Sequence, residues 1–206
     1  MLRFNSDHKF KIMQIADTQE IPAVSPDTLS LINNALDREK PDLVIFTGDQ
    51  IKGYSKKFKK DPAIIESTID ILVEPIAKRN IPFMVTYGNH DAQCGVDNRG
   101  QYKFYAKYDN FISGDLRNAD DVGTADIQIY SSTEDKPVFE LYIIDSHGKA
   151  KDGGRICARR QRADRMVCLA PRTAQSRKRR LSAVARVSAY SRAGVFRCYK
   201  ESAQGR

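Results

Sequence analysis

Three apolar runs in the first half of the chain each break off into polar residues: FKIMQIAD (10–17), LVIFTGD (43–49) and IPFMVTYGNHD (81–91). The first alternates, as a buried strand does. The second is apolar throughout, which suits a strand covered on both faces. Stretches of helical spacing lie between them. In SPDTLSLINNALDREKPD, Leu29, Ile32 and Leu36 share one face, with Asp27 expected as the cap and Pro41 as the stop. Asp61-Pro62 opens a second helix with Ile65, Ile69, Leu72 and Ile76 on one side, and Pro75 is a candidate kink. RGQYKFYAKY reads as a third helix, and ADIQIYS and VFELYIIDS read as strands. Alternating strand and helix define a layered α/β domain with a largely parallel central sheet.

In a parallel sheet, the loops leaving the carboxyl ends of the strands converge on one edge. Asp17-Thr18-Gln19, Gly48-Asp49-Gln50 and Gly88-Asn89-His90-Asp91 would therefore meet in space. Carboxylate oxygens suit a hard divalent cation, and Asn and His extend the choice to Mn, Fe or Zn. Asp17 alone reads most simply as a turn or cap residue. Asp49, Asn89 and His90 together read as metal-site residues, because converging strand-end loops would gather their oxygen and nitrogen donors.

Over about residues 9–154 the sequence resembles the calcineurin-like metallophosphoesterases. The family pattern is Asp-x-His, then Gly-Asp, then Gly-Asn-His-Asp/Glu, then a single His and a Gly-His-x-His. The second and third motifs stand intact here as TGDQ and YGNHD, and Gln19 occupies the place of the first His. DLVIFTGDQIKGY looks especially like the bacterial branch related to purple-acid-type and Dcr2-type phosphatases. The resemblance implies a two-sheet α/β sandwich flanked by helices, with its C-terminal half incomplete. It also implies hydrolysis of phosphate esters with two divalent ions, Mn, Fe or Zn, that activate a water for attack on phosphorus. Carried over residue by residue, Asp17 binds the first metal and Asp49 bridges both. Asn89 binds the second metal near the phosphate. His90 contacts the phosphate or gives a proton to the leaving group. Gln19 and Asp91 are further candidates, for a metal or for the support around it. Gln19 offers only a neutral amide oxygen, and Asp91 more readily supports His90 or caps the next helix. His147 reads as a loop residue and His8 as a surface residue. Tyr102, Phe104, Tyr105 and Tyr108 read as a packed helix face, and Lys56, Lys57, Lys59 and Lys60 as a solvated loop.

The chain changes character after Gly154. Residues 1–150 carry a net charge of −5 and residues 151–206 a net of +13, within a total of +8. Cys157, Cys168 and Cys198 lie in the tail at spacings that match neither a zinc pattern nor a disulfide framework. No His follows His147, so the late metal ligands of the family are absent. The sequence divides into residues 1–154, the first part of a metallophosphoesterase domain, and residues 155–206, an Arg-rich tail without strand or helix pattern. A frameshift accounts for the tail. The codons of Arg155 to Met166 can be chosen so that reading begins one base later as VYAPVVSAQIEW. The final Trp is forced, because Met followed by Val must contain TGG. The family often carries Gln-Ile-x-Trp-Tyr at this point. On this reading the chain is impaired and its tail packs poorly. The alternative takes RTAQSRKRR (172–180) as a genuine basic arm that binds nucleic acid through phosphate contacts. The expected partner is otherwise a phosphate-ester substrate. No apolar run is long enough to span a membrane, and a cytoplasmic location is the default, with an upstream leader left open.

Overall fold

The computed structural model describes residues 1–113 and 122–145, together with two strands at 183–188 and 194–199. In chain order the elements are β1 (Leu2–Arg3), β2 (Lys9–Ile15), α1 (Pro26–Glu39), β3 (Leu43–Thr47), α2 (Pro62–Ala77), β4 (Phe83–Thr86), α3 (Asn98–Ala106), β5 (Ala125–Tyr130), β6 (Pro137–Ile144), β7 (Ala183–Ser188) and β8 (Gly194–Tyr199). Short 3-10 turns occupy Lys56–Phe58 and Asp91–Cys94.

Among the described residues two four-stranded sheets form, in the orders β4-β3-β2-β8 and β1-β5-β6-β7. Strands β2, β3 and β4 are mutually parallel, and β8 joins β2 antiparallel. In the second sheet β5 and β6 are antiparallel, while β1 and β7 add in parallel. The largely parallel sheet expected from the strand–helix alternation is the one built on β2, β3 and β4, and the second sheet is mixed. The sandwich implied by the family resemblance is what forms.

The side-chain period of a strand explains how two cores arise from one run of apolar residues. On β3, Leu43 and Ile45 enter the core between the sheets, with Phe10 and Ile12 of β2, Met84 of β4 and Ile127, Ile129, Leu141 and Ile143 of the second sheet. Val44 and Phe46 point the other way, into the core beneath the helices, with Ile32, Leu36, Ile65, Ile69, Leu72 and Ile76. Leu43–Phe46 are fully buried, so β3 has no solvent face and no polar alternation.

Local chemistry starts the helices. Pro26 and Pro62 each sit in a first turn, where the missing N–H is no loss. Asp61 caps α2 by accepting from the Ala63 N–H at 2.9 Å. For α1 the cap is Ser25, which accepts from the Asp27 N–H at 3.3 Å, and not Asp27 as expected. Asp27 lies in the first turn instead, where its charge still favours the positive end of the helix. Lys40 ends α1 in the left-handed conformation at φ 47°. Helix α2 continues through Pro75 to Ala77. Tyr105 is buried, and Tyr102, Phe104 and Tyr108 pack against the same core, as the aromatic spacing suggests. Lys56, Lys57, Lys59 and Lys60 are exposed.

The sequence pattern gives no strand in the tail, yet β7 pairs with β6 and β8 with β2. Adding a strand to an existing edge requires extended backbone more than a strong side-chain pattern, which is why such strands escape pattern reading. The division at residue 154, the packing of the rest of the tail and the placement of His147 lie outside the described residues.

Candidate active site

Because β2, β3 and β4 run parallel, their carboxyl ends open on one edge. Ile15 pairs with Phe46, and Thr47 pairs with Thr86. The first two loops then continue side by side as a backbone ladder. The Asp17 N–H donates to the Gly48 carbonyl at 3.0 Å, the Gln19 N–H to the Asp49 carbonyl at 2.9 Å, and the Glu20 N–H to the Gln50 carbonyl at 3.1 Å. Three non-glycine residues in this ladder are left-handed: Asp17 at φ 53°, Gln19 at 47° and Asp49 at 54°. Side chains there cost about 1 kcal/mol or more each, and residues held this way concentrate where a site fixes its geometry.

The second and third loops touch through their glycines. A Cβ on Gly48 would lie 2.4 Å from the Gly88 nitrogen, and one on Gly88 would lie 2.1 Å from Asp49 Oδ1. Backbone fills the first space, and the Asp49 carboxylate and backbone nitrogen fill the second, so only glycine fits. Asp91 locks this contact. It is fully buried, and its Oδ2 accepts from the Asp49 N–H at 2.7 Å and the Gly88 N–H at 2.8 Å. Its Oδ1 lies 3.4 Å from the Ile51 N–H. With its amide nitrogen turned toward Asp91, Gln50 donates to both carboxylate oxygens at 3.2 and 3.1 Å and accepts from the Gly48 N–H at 2.9 Å. Burial pushes the Asp91 carboxyl up to about 6, against the pull of these N–H groups. Asp91 is thus a brace beneath the loops.

Asp49 is nearly buried, with Oδ1 accepting from the His90 N–H at 2.9 Å and Oδ2 3.5 Å from Gln19 Nε2. Asp17 is exposed at the rim. Partial desolvation and then the charge of Asp49 hold its carboxyl above the usual range, while His90 acts in the opposite direction. Asn89 is half-buried, and its carbonyl accepts from Gln93 Nε2 at 3.1 Å. His90 Nδ1 lies 3.2 Å from Gln93 Oε1. The Tyr54 ring stands edge-on to the His90 imidazole at 4.8 Å between centroids, and its hydroxyl donates to Gln19 Oε1 at 3.3 Å. Lys52 Nζ sits 5.3 Å from the centre of the Tyr54 ring.

The structure therefore brings Asp17, Gln19, Asp49, Asn89 and His90 to one edge and puts Asp91 beneath them. His8 is exposed and lies 3.2 Å from the Ser132 hydroxyl, far along the chain from these loops. Tyr54 and Gln93 are site neighbours that the motifs do not reveal; the only sequence signal is their closeness to GD and GNHD. Among the described residues, no group of three or more His, Cys, Asp and Glu side chains could hold a metal ion. The Asp17 and Asp49 carboxylates repel one another, and carboxylate oxygens of this kind suit a hard divalent cation.

Two apposed sheets, helices packed on one of them, and acid, amide and imidazole groups on adjoining strand-end loops define the class as a metallophosphoesterase-type α/β sandwich. Residues 10–176 match the calcineurin-like phosphoesterase family model, and the chain belongs to that family. The match runs past residue 154, where the sequence changes character.

Phosphatase DCR2 of Saccharomyces cerevisiae is 34% identical over 170 residues, covering 71% of this chain and 28% of its own length. Probable inactive purple acid phosphatase 14 of Arabidopsis thaliana is 27% identical over 179 residues, covering 74% of this chain and 43% of its own. The chain thus spans less than half the length of either relative. A solved dimetal phosphatase from Danio rerio aligns with a TM-score of 0.47 at 16% identity, over 66% of this chain and 44% of that one. Among the described residues, no helix is long and apolar enough to cross a membrane.

Proposed function

We propose that this chain carries the first half of a metal-dependent phosphohydrolase site, with Asp17, Asp49 and Asn89 as metal ligands and His90 as the group that meets the phosphate. The observation that carries this reading is the position of Asp49. It sits at the junction of three loops, its carboxylate pinned by the His90 N–H and its charge raising the proton affinity of Asp17. Bound divalent ions, two in the full site, would supply Lewis acidity, activating a water and offsetting charge on the phosphoryl oxygens. The chain's own residues do the rest. Asp17 and Asp49 present oxygens whose mutual repulsion a cation relieves. Asn89 adds an amide oxygen beside them. His90, at the rim next to Tyr54, orients the ester and passes a proton to the departing oxygen. Gln19 weakens the first metal position, because an amide oxygen carries no charge.

On the same reading this chain binds metal weakly and turns over slowly, because the late histidines are absent from its sequence. We attribute their absence to a shifted reading frame near Gly154. The test compares the full chain with a version in which the frame is restored there. Isothermal calorimetry with Mn should show weak binding to the full chain that is lost in Asp49→Ala. The restored version should hydrolyse an aryl phosphate or a diester, and should lose that activity in Asp49→Ala and His90→Ala. Robust, Asp49-dependent turnover by the unrestored chain, or a restored frame that soon meets a stop codon, would overturn the frameshift. Mn binding that survives Asp49→Ala would overturn the site.

A further inference from the structure

We propose that Gln93 is the positioning residue of His90, fixing its neutral imidazole as the Nδ1–H tautomer so that Nε2 is the nitrogen that holds and releases a proton. This deepens the reading of His90 given above and rests on it.

The argument begins with an amide that has only one permitted orientation. Gln93 Nε2 donates to the backbone carbonyl of Asn89 at 3.1 Å. A carbonyl can only accept, so the nitrogen end of the amide must face Asn89. The oxygen end then faces His90 Nδ1, at 3.2 Å. Amide oxygen has no hydrogen to give, so Nδ1 must carry one. In a neutral imidazole one nitrogen donates and the other accepts, which leaves the lone pair on Nε2. The choice of tautomer therefore traces back to a backbone carbonyl inside the GNHD motif itself.

The rest of the surroundings holds the ring in that orientation. His90 immediately precedes the 3-10 turn Asp91–Cys94 and Gln93 lies within it, its N–H donating to the His90 carbonyl at 3.0 Å. Asp91, inside that turn, is fully buried and bonded to the neighbouring loops, so the turn is anchored from below. The Tyr54 ring covers the imidazole edge-on, and Tyr54 is itself tied to Gln19.

The consequence for proton transfer balances simply. With Nδ1–H retained by Gln93, the imidazolium gives its Nε2 proton to the departing ester oxygen as the P–O bond breaks. The N–H electron pair stays on Nε2, and the product is the tautomer that Gln93 already stabilises. A neutral Nε2–H tautomer would instead aim its free lone pair at the Gln93 oxygen, a contact between two acceptors.

The test is 15N NMR of the full chain labelled at histidine, at a pH about two units above the imidazole range. The chain has three histidines, and the His90 resonances are assigned by their loss in His90→Ala. The expected result is a protonated-type Nδ1 and an unprotonated-type Nε2 for His90. Gln93→Ala should shift the balance toward Nε2–H, the form free imidazole side chains favour. Gln93→Glu gives up the donor to the Asn89 carbonyl but keeps an oxygen acceptor within reach of Nδ1, and should retain Nδ1–H. Gln93 is exposed, so neither variant removes a core contact. An Nε2–H majority in the unmodified chain, a Gln93→Ala spectrum unchanged from it, or loss of Nδ1–H in Gln93→Glu would each overturn the proposal. These outcomes are separate from Mn binding and turnover, which test the wider reading of the site.

Discussion

Asp91 offers the sharpest test of how the loops are held. Two backbone N–H groups, those of Asp49 and Gly88, point at one oxygen of its fully buried carboxylate at 2.7 and 2.8 Å. Asp91→Ala leaves both without an acceptor. Each orphaned buried donor costs about 1–3 kcal/mol, so the variant should lose about 2–6 kcal/mol. The Ile51 N–H at 3.4 Å is too long to add much. For a chain of this size, that loss lowers Tm by roughly 5–20 °C. Asp91→Asn is the informative partner. Its amide oxygen can take the place of Oδ2 and keep both short bonds, with only the bond from Gln50 to the other oxygen lost, because the Gln50 oxygen is held by the Gly48 N–H. This variant should cost about 1 kcal/mol or less. Circular dichroism melts of the three proteins, with urea unfolding as a check, would read the difference. Equal stability of Asp91→Ala and the unmodified chain would refute the brace. An Asp91→Asn loss as large as that of Asp91→Ala would refute the argument from acceptor geometry.

Three further substitutions probe the packing. Gly88→Ala forces a Cβ to 2.1 Å from Asp49 Oδ1 and 2.6 Å from the Asp49 nitrogen, and backbone cannot swing aside. It should cost about 1–3 kcal/mol by overpacking and abolish Mn binding in calorimetry, because it displaces the Asp49 carboxylate. Ile45→Ala opens a hole between the two sheets and should cost about 2–5 kcal/mol in urea unfolding, whereas Leu31→Ala, at a side chain 71% exposed, should stay within about 0.5 kcal/mol.

Much of the fold was legible because strand and helix periods are short-range signals. The uninterrupted LVIFT of β3 announced a strand covered twice, and Ile65, Ile69, Leu72 and Ile76 announced the face of α2, since each pattern is set by the element's own geometry. The placement of Asp17, Asp49 and His90 on one edge was also legible, because parallel strands send their carboxyl-end loops the same way. Sequence alone could not say that Leu43 and Ile45 would meet a second sheet while Val44 and Phe46 met helices, since both partners want apolar surface. It could not choose Ser25 over Asp27 as the cap, because either side chain can accept an N–H. Nor could it find β7 and β8, whose pairing depends on open sheet edges elsewhere in the chain. The same holds within the site. That Asp91 is a buried brace, that Gln93 faces Nδ1 and that Tyr54 lies against the imidazole all depend on where three loops come to rest. The motif supplied the chemical groups, and only the tertiary structure decided which atoms of those groups remain free.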